Sequence, residues 1–196
     1  MFEAAVLGVS AGGMHALKTI LSALPATFSL GIAIVHHAGA TSDGFLAEHL
    51  NRCSMIKVKE AEDKEVLSRG TAYLAPANYH LLIEPDKSFS LSVDDKVNFS
   101  RPSIDLLFES AAETFGEALI GVVLTGANAD GALGLKAVKR HGGLAVVQNP
   151  ATAEASRMPQ AAIDATPVDH IVDLERIALL LRRLSNGEPR GTGMAG

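Results

Sequence analysis

The sequence contains no tryptophan and a single cysteine, Cys53, in 196 residues. A lone cysteine excludes an intramolecular disulfide and a cysteine-rich metal site, and it fits a reducing compartment. Long apolar runs are also missing. The run before Gly8 is too short for a secretion signal, and no run approaches the length of a membrane span. We therefore expect a cytoplasmic protein that does not insert into a membrane.

Positive charge is scarce: the chain has 17 Lys and Arg residues and 22 Asp and Glu residues, which gives a formal net charge of −5. Without a long basic run, a nucleic-acid partner has no electrostatic support. The hydrophobic fraction of 47% is enough for one domain with a sizeable core. We assign that domain to residues 1–186 and expect the Gly- and Pro-bearing residues 187–196 to form a flexible tail.

Apolar runs of strand length alternate with stretches of helical periodicity along the chain. Strands are predicted at 4–9, 30–35 and 119–124, and the sequence around "PDKS" predicts a hairpin. The segment "RPSIDLLFESAAETFG" predicts a helix with Pro102 in its first turn. This alternation indicates an α/β fold: a doubly wound, mostly parallel sheet in a Rossmann-like three-layer arrangement, with an inserted antiparallel hairpin.

A G-x-S-x-G pattern stands where the first strand is predicted to turn into a helix, with Ser10 between Gly8 and Gly12. A serine at such a turn is more often a helix N-cap than a nucleophile. The surrounding "GVSAGG" lacks the middle glycine of a dinucleotide fingerprint, and no G-K-[ST] follows it. The motif therefore leaves a cap and a nucleophile as the two interpretations of Ser10.

Polar residues follow two further strands: His36 and His37 after the second, and Asn128 and Asp130 after the run at 119–124. A parallel sheet gathers strand ends at one edge, so a hydroxyl, an imidazole and a carboxylate would meet there, as in an acyl-transfer triad. The order Ser, His, Asp differs from that of α/β-hydrolases. Adjacent histidines of an extended chain face opposite ways, which disfavours zinc.

Six blocks in order resemble the catalytic domain of the CheB family, the chemotaxis protein-glutamate methylesterases. The resemblance runs from about residue 5 to about residue 184, and the blocks are "LGVSAGG", "HHAGATSDGFLAEHL", "KEAEDKEVLSRGTAYLAPANYHLLIE", "RPSIDLLFESAAETFG", "GVVLTGANADGALGLKAV" and "VVQNPATAEASRMPQAAI". It implies a serine hydrolase that removes methyl groups from glutamyl esters on chemoreceptor helices and can deamidate certain receptor glutamines. No metal or organic cofactor is implied.

The resemblance also assigns roles by position. Ser10 matches the nucleophile, His37 rather than His36 matches the base, and Asp130 matches the acid that orients the base. Backbone N–H groups at the start of the first helix and near residue 127 would form the oxyanion hole and line the substrate cleft. The residues concerned are Ala11, Gly12 and Ala127.

The chain departs from the usual family pattern at several cleft positions. His36 stands where the family usually has Gln, Ala11 stands where the family often has Thr, and Ala127 and Asn128 stand where it commonly has Met-Gly. Asn tolerates a positive φ, so the loop could keep its course. These changes leave the triad intact and leave the choice of substrate open.

The sequence does not determine how the activity is regulated or which ester is the substrate. Full-length family members carry a receiver domain before the esterase domain, and this chain has none, so it is an excised domain or a stand-alone relative whose receiver is separate. Two other functions also remain: a serine esterase or amidase of the same fold that acts on a different protein or small ester, and a non-catalytic interaction module.

Overall fold

The computed structural model describes residues 1–37 and 45–190, so part of the "HHAGATSDG" segment and residues 191–196 lie outside the described residues. The strands are β1 (Ala4–Val9), β2 (Gly31–His36), β3 (Lys57–Glu60), β4 (Thr71–Leu74), β5 (His80–Ile83), β6 (Phe89–Ser92), β7 (Leu119–Val123), β8 (Leu144–Gln148) and β9 (His170–Val172). The helices are α1 (Gly13–Ser22), α2 (Phe45–Cys53), α3 (Ile104–Phe115), α4 (Ala132–Arg140), α5 (Arg157–Ala165) and α6 (Leu174–Ser185).

Seven strands form one sheet in the order β3-β4-β2-β1-β7-β8-β9, and every neighbouring pair is parallel. β1 lies in the middle, and all six of its residues are buried. Its sequence AAVLGV is apolar throughout because helices cover both faces of a parallel sheet. The α/β prediction is confirmed.

The direction of strand addition reverses at β1. From β1 the chain continues to β2 on one side, and β7, β8 and β9 are added later on the other side. In open α/β sheets the crevice outside the carboxyl ends of the strands at such a reversal is the usual ligand site. We therefore expect the ligand site at the carboxyl ends of β2, β1 and β7.

Two buried clusters fill the faces of the sheet. α1, α2 and α6 contribute to one cluster, and α3, α4 and α5 to the other. Alternate residues of β1 serve the two faces, since Leu7 belongs to the first cluster and Val6 to the second. The three-layer arrangement follows from this alternation.

The predicted hairpin is present as a separate two-stranded antiparallel sheet of β5 and β6. Lys87, with φ +68°, donates its N–H to the carbonyl of Glu84 at 2.8 Å and so closes the "PDKS" turn. Phe89 of β6 packs on Tyr73 of the main sheet with ring centroids 4.9 Å apart. This contact joins the hairpin to the second cluster.

One sequence expectation fails at a helix, and one helix was not expected. The expectation that Pro102 lies in the first turn of α3 is wrong: the helix begins at Ile104, and Ser103 before it is extended (φ −105°, ψ 135°). The N–H of Ser103 donates to Nδ1 of His80 at 3.1 Å, which holds that residue outside the helix. The segment that forms α5 was not predicted as a helix; Pro159 stands in its first turn, where proline is tolerated.

Residues 187–190 of the predicted tail contact the domain. Arg190 donates to the carbonyls of Gly142 at 3.0 Å and Glu117 at 2.7 Å, and its guanidinium lies 5.0 Å from the ring centre of Phe2.

Within the described ranges no helix combines the length and the apolar character needed to cross a membrane.

Candidate active site

Ser10 occupies the turn between β1 and α1. Its N–H donates to the carbonyl of Thr125 at 3.0 Å, and its own carbonyl accepts the N–H of Gly13 at 2.8 Å. Gly12 precedes the helix with φ +77°, a conformation that residues with a side chain rarely adopt. The predicted strand-to-helix turn is therefore present, and Ser10 is half-exposed at the carboxyl edge of the sheet.

The start of α1 offers free hydrogen-bond donors. Ala11 is exposed and Gly12 is half-exposed, and neither N–H has a backbone partner within the described ranges. Ala127 is also exposed, and its N–H has no backbone partner among the described residues. Unpaired N–H groups at a helix N-terminus favour negative charge.

Thr125 fixes the turn that carries Ser10. Its hydroxyl donates to the carbonyl of Ala11 at 2.8 Å and accepts the N–H of Ala155 at 2.9 Å. Its own N–H donates to Oε1 of Gln148 at 2.9 Å. Sequence reasoning missed both side chains, since a Thr after a strand and a Gln at the end of one carry no distinguishing signal.

His37 follows β2 next to Ser10. Its N–H donates to the carbonyl of Val9, the residue before Ser10, at 3.0 Å. Its ring Nε2 lies 2.9 Å from Oδ2 of Asp130, and its Nδ1 lies 3.4 Å from the amide nitrogen of Asn128. Within the described residues the Ser10 hydroxyl has no hydrogen bond, so the structure pairs His37 with Asp130 and leaves the hydroxyl unpaired.

Asn128 contributes through its side chain. Its Oδ1 accepts the N–H of Asp130 at 3.2 Å, and its Nδ2 faces His37. It is not among the residues with positive φ in the described ranges, so its tolerance of that conformation is not used. The expectation that it preserves the loop through a positive φ is wrong, because hydrogen bonds hold the loop instead.

Asp130 is buried with 1% of its surface exposed, and four donors surround its carboxylate. Besides His37, the donors are the Ser103 hydroxyl at 3.1 Å and the N–H groups of Ile104 at 2.7 Å and Asp105 at 3.1 Å. Burial alone would raise the pKa of Asp130, but the hydrogen bonds from His37, Ile104 and Asp105 outweigh burial and lower it. The carboxylate is thus held ionised at the N-terminus of α3.

Asp105 mirrors this arrangement. Its Oδ1 accepts the N–H groups of Gly131 at 2.8 Å and Gly134 at 2.7 Å, at the start of α4. Asp130, just before α4, binds the start of α3, while Asp105, in the first turn of α3, binds the start of α4. We call these two residues the crossed aspartates. Burial, together with the neighbouring Asp130 charge, raises the pKa of Asp105 to about 6.

His36 lies on the other side of its strand from His37. Its ring packs on α1, where a Cβ on Gly13 would lie 2.5 Å from its Cδ2, and it approaches the backbone of Ser10. Burial, then the neighbouring His37, lowers its pKa. Both histidines thus lie near Ser10, and the contact that distinguishes His37 is its hydrogen bond to Asp130.

The cleft at this edge is shallow. A groove of about 470 Å³ is lined by residues of the Ser10 turn, by α1 and by a loop residue, Glu154. A second cavity of about 190 Å³ adjoins His37 on the side of α2 and the segment 96–102. His36 lines both. An open groove can admit a side chain presented on a protein surface.

Comparison with known proteins gives one consistent family. Residues 5–181 match the family model of the CheB methylesterase. A relative from Leptospira interrogans, assigned by name as a protein-glutamate methylesterase/protein-glutamine glutaminase, is 58% identical over 93% of this chain and 95% of its own length. A relative of the same function name from Carboxydothermus hydrogenoformans is 42% identical over 88% of this chain and 52% of its own length.

A solved structure agrees with these sequence matches. The catalytic domain of the Thermotoga maritima CheB methylesterase superposes with a TM-score of 0.90 at 33% identity. The match covers 94% of this chain and 99% of that domain. At this identity and coverage the likeness extends to the whole fold of the domain.

Proposed function

The chain belongs to the CheB methylesterase family, and from that premise we propose that it hydrolyses glutamyl methyl esters on chemoreceptor helices through Ser10, His37 and Asp130. The observation that carries the proposal is the hydrogen bond of 2.9 Å between the ring of His37 and the buried carboxylate of Asp130, beside Ser10 at the sheet edge. A buried acid that orients an imidazole next to a serine is the arrangement of an acyl-transfer site.

The first step transfers the acyl group to Ser10. With the Nε2 proton directed to Asp130, the other ring nitrogen, Nδ1, carries a lone pair that faces the Asn128 amide at 3.4 Å. In the reaction the Ser10 hydroxyl replaces this long contact, and Nδ1 takes its proton. The Ser10 oxygen attacks the ester carbonyl, and Nδ1 then protonates the departing methoxy group, which leaves as methanol. Asp130 stabilises the imidazolium throughout, because its carboxylate stays ionised.

The second step restores the enzyme. Nδ1 of His37 removes a proton from water, which attacks the acyl group on Ser10, and the serine oxygen recovers the proton. One ester and one water give one carboxylate, one methanol and one proton. With a glutamine side chain in place of the ester, the same steps release ammonia, which accords with the second activity in the names of the relatives.

Negative charge on the tetrahedral oxygen needs donors in both steps. We assign this role to the N–H groups of Ala11 or Gly12 and of Ala127, which have no backbone partner within the described ranges. The positive end of the α1 dipole adds to their effect. The substrate cleft then runs past Ala11, Gly12 and Ala127, and we expect neither a metal nor an organic cofactor in it.

The test is methanol release from methylated chemoreceptor fragments by purified protein. We expect release by the wild type and none above background for Ser10→Ala, since the covalent step is lost while α1, whose N-cap is Gly12 and which has no side-chain cap, loses no hydrogen bond. His37→Ala should be inactive and His36→Ala active. Ser22→Ala, at the far end of α1 and exposed, is the matched control for loss of a hydroxyl.

Three outcomes would contradict the proposal. Turnover by Ser10→Ala near the wild-type rate would remove Ser10 as nucleophile. An active His37→Ala with an inactive His36→Ala would move the base by one residue. Hydrolysis of small aryl esters with no release from receptor fragments would replace the receptor by another ester as substrate.

A further inference from the structure

We propose that Glu154 sets the charge preference of the cleft: it disfavours substrates with a negative charge beside the scissile ester and favours those with a positive charge there. This inference rests on the proposed function of Ser10. It concerns a residue outside the triad and outside the oxyanion donors.

Glu154 lies directly against the turn that carries the nucleophile. It lines the same groove as Ser10 and Gly12, and a Cβ on Gly12 would lie 2.8 Å from both its Cβ and its Oε2. The Cβ of Glu154 is itself this close, so the backbone places the side chain beside Gly12, and in this exposed conformer the carboxylate also lies against the turn.

The loop around Glu154 is anchored on the next residue. The N–H of Ala155 donates to the Thr125 hydroxyl at 2.9 Å, and its carbonyl accepts the N–H of Gly126 at 2.9 Å. Thr125 is the residue whose hydroxyl also holds Ala11. The loop with Glu154 and the Ser10 turn therefore share one support and keep their relative position.

The charge of Glu154 is not neutralised by the protein. In the described part of the chain it forms no ion pair, although the cationic residue Lys18 and the imidazole of His15 line the same groove. Lys18 stands five residues beyond Gly13, roughly 7.5 Å along the axis of α1. The groove thus has a carboxylate at the Ser10 end, and the backbone of its lysine lies farther along the helix.

The Glu154 carboxylate interacts with any charged group that the substrate carries beside its scissile ester. A second negative group near Gly12 meets both the Glu154 carboxylate and the oxyanion that forms in the reaction, whereas a positive group there is attracted to both. For unit charges about 4 Å apart in water-like surroundings, the interaction changes a rate or binding constant about five-fold. The same repulsion assists departure of the carboxylate product.

The test uses three aryl esters whose acyl chain ends in a trimethylammonium group, a methyl group or a carboxylate. For each enzyme, kcat/KM for the charged esters is divided by kcat/KM for the neutral one. We expect the wild type to prefer the cationic over the anionic ester about 25-fold at low ionic strength, Glu154→Gln to bring that ratio close to one, and Glu154→Lys to invert it. At 0.5 M salt the differences should shrink strongly.

Glu113→Gln is the matched control, with the same loss of charge on an exposed residue of α3. It stands nine residues beyond Ile104, roughly 13 Å along the helix from the end near Asp130. We expect it to keep the wild-type ratio. Equal ratios in wild type, Glu154→Gln and Glu154→Lys would overturn the inference, as would an equal shift in Glu113→Gln.

A binding measurement keeps this inference separate from the proposed function. Short glutamine peptides flanked by Arg or by Asp are titrated into the protein, and the backbone amide of Gly13 is followed by NMR. Tighter binding of the Arg peptide, lost in Glu154→Gln, supports the role of Glu154 even if no ester is hydrolysed. Failure of neutral-ester hydrolysis in the wild type would instead count against the function of Ser10.

Discussion

Asp130 accepts more hydrogen bonds than any other side chain of the site within the described residues. Its Oδ2 accepts from His37 and from the N–H of Ile104, and its Oδ1 accepts from Ser103 and from the N–H of Asp105. All four partners are donors, so only a carboxylate satisfies the site on both oxygens. An amide would turn an NH2 group toward two of the donors.

We predict that Asp130→Asn lowers kcat for ester hydrolysis by roughly 10⁴ while the chain still folds, because the amide can hold the wrong imidazole tautomer. Stability should fall by about 1–3 kcal/mol, since buried donors lose their acceptor. Steady-state kinetics with urea unfolding checks both effects. Ser103→Ala, which removes one of the four donors and leaves the histidine contact, should change kcat less than about ten-fold; an unchanged kcat in Asp130→Asn would make the residue purely structural.

Asp105 gives a second prediction at this scale, on the pH dependence of stability. Its pKa is about 6 in the fold against an ordinary value of 3.8, so the folded state holds a proton that the unfolded chain releases between these values. Its contribution to the free energy of unfolding therefore falls as pH rises from about 4 to about 6. Asp130, whose pKa is lowered, contributes stability that is lost only as pH falls below about 4.

We predict that Asp105→Asn removes the first of these dependences. The Asn oxygen can still accept hydrogen bonds from the N–H groups of Gly131 and Gly134. The stability of the variant relative to the wild type should therefore rise as pH rises from about 4 to about 6. Urea midpoints at pH 4, 5, 6 and 7 measure the difference. Asp105→Ala leaves both N–H groups unpaired and should cost about 2–4 kcal/mol at every pH; parallel curves for wild type and Asp105→Asn would contradict the prediction.

Some residues of the candidate site could be predicted from the sequence and others could not. Ser10, His37 and Asp130 follow apolar runs of strand length, and a parallel sheet brings such ends together whatever lies between them. Asp105 could not be found, because an acidic residue in the first turn of a helix is normally explained by that helix alone. Its partners Gly131 and Gly134 are remote in sequence, and only the packing of α3 on α4 joins them.

At the scale of elements, the close approach of β1 and α3 sets the position of the crossed aspartates. Gly8 has no side chain, and a Cβ there would overlap Cγ2 of Ile104, the first residue of α3. A Cβ on Gly131 would lie 2.8 Å from the same atom. The start of α3 thus rests on two glycines, and Ile104 in turn donates its N–H to Asp130.

We predict that Gly8→Ala destabilises the fold by about 1–3 kcal/mol through overpacking and lowers kcat as well, since the start of α3 must shift away from Asp130. Ile104→Ala alone should cost about 2–5 kcal/mol through the cavity it leaves. In the double variant the added methyl enters space that Ile104 vacated, so its cost should be less than the sum of the two. Strict additivity in urea unfolding would show that the two residues do not compete for the same space.

Element boundaries illustrate what local sequence leaves undetermined. Strand β1 was predicted with the bounds that the structure has, because six apolar residues between polar ones leave little choice. The start of α3 was misplaced because the N–H of Ser103 is taken by His80 of the hairpin, a contact between distant segments. Local propensity cannot anticipate such a contact.

At the scale of the whole molecule, the two buried clusters share the strands of one sheet. β1 contributes to both, so neither layer of helices can detach without exposing one face of the central strand. The site residues stand at the ends of β1 and β2 and in the loop after β7, which are neighbours in the sheet. Disruption of either layer should therefore also disrupt the site.

We predict a single cooperative urea transition in which far-UV circular dichroism, tyrosine fluorescence and ester hydrolysis are lost together. Tyr73 reports on the second cluster, where it packs on Phe89, and the chain has no tryptophan to mask its signal. Activity lost at a clearly lower urea concentration than the dichroism would indicate that the site opens locally, ahead of the sheet.

The pairing of β1 with β7 has a consequence for biosynthesis. Ala4 is paired with Leu119, so the middle of the sheet closes only after a long stretch of chain has been made, and closure of so long a loop slows folding. Ser10 leaves the ribosome about 120 residues before its proposed partner Asp130. A nascent chain that ends before Asp130 would therefore carry the proposed nucleophile and base without the acid that is proposed to orient the base, and such incomplete copies should hydrolyse esters poorly.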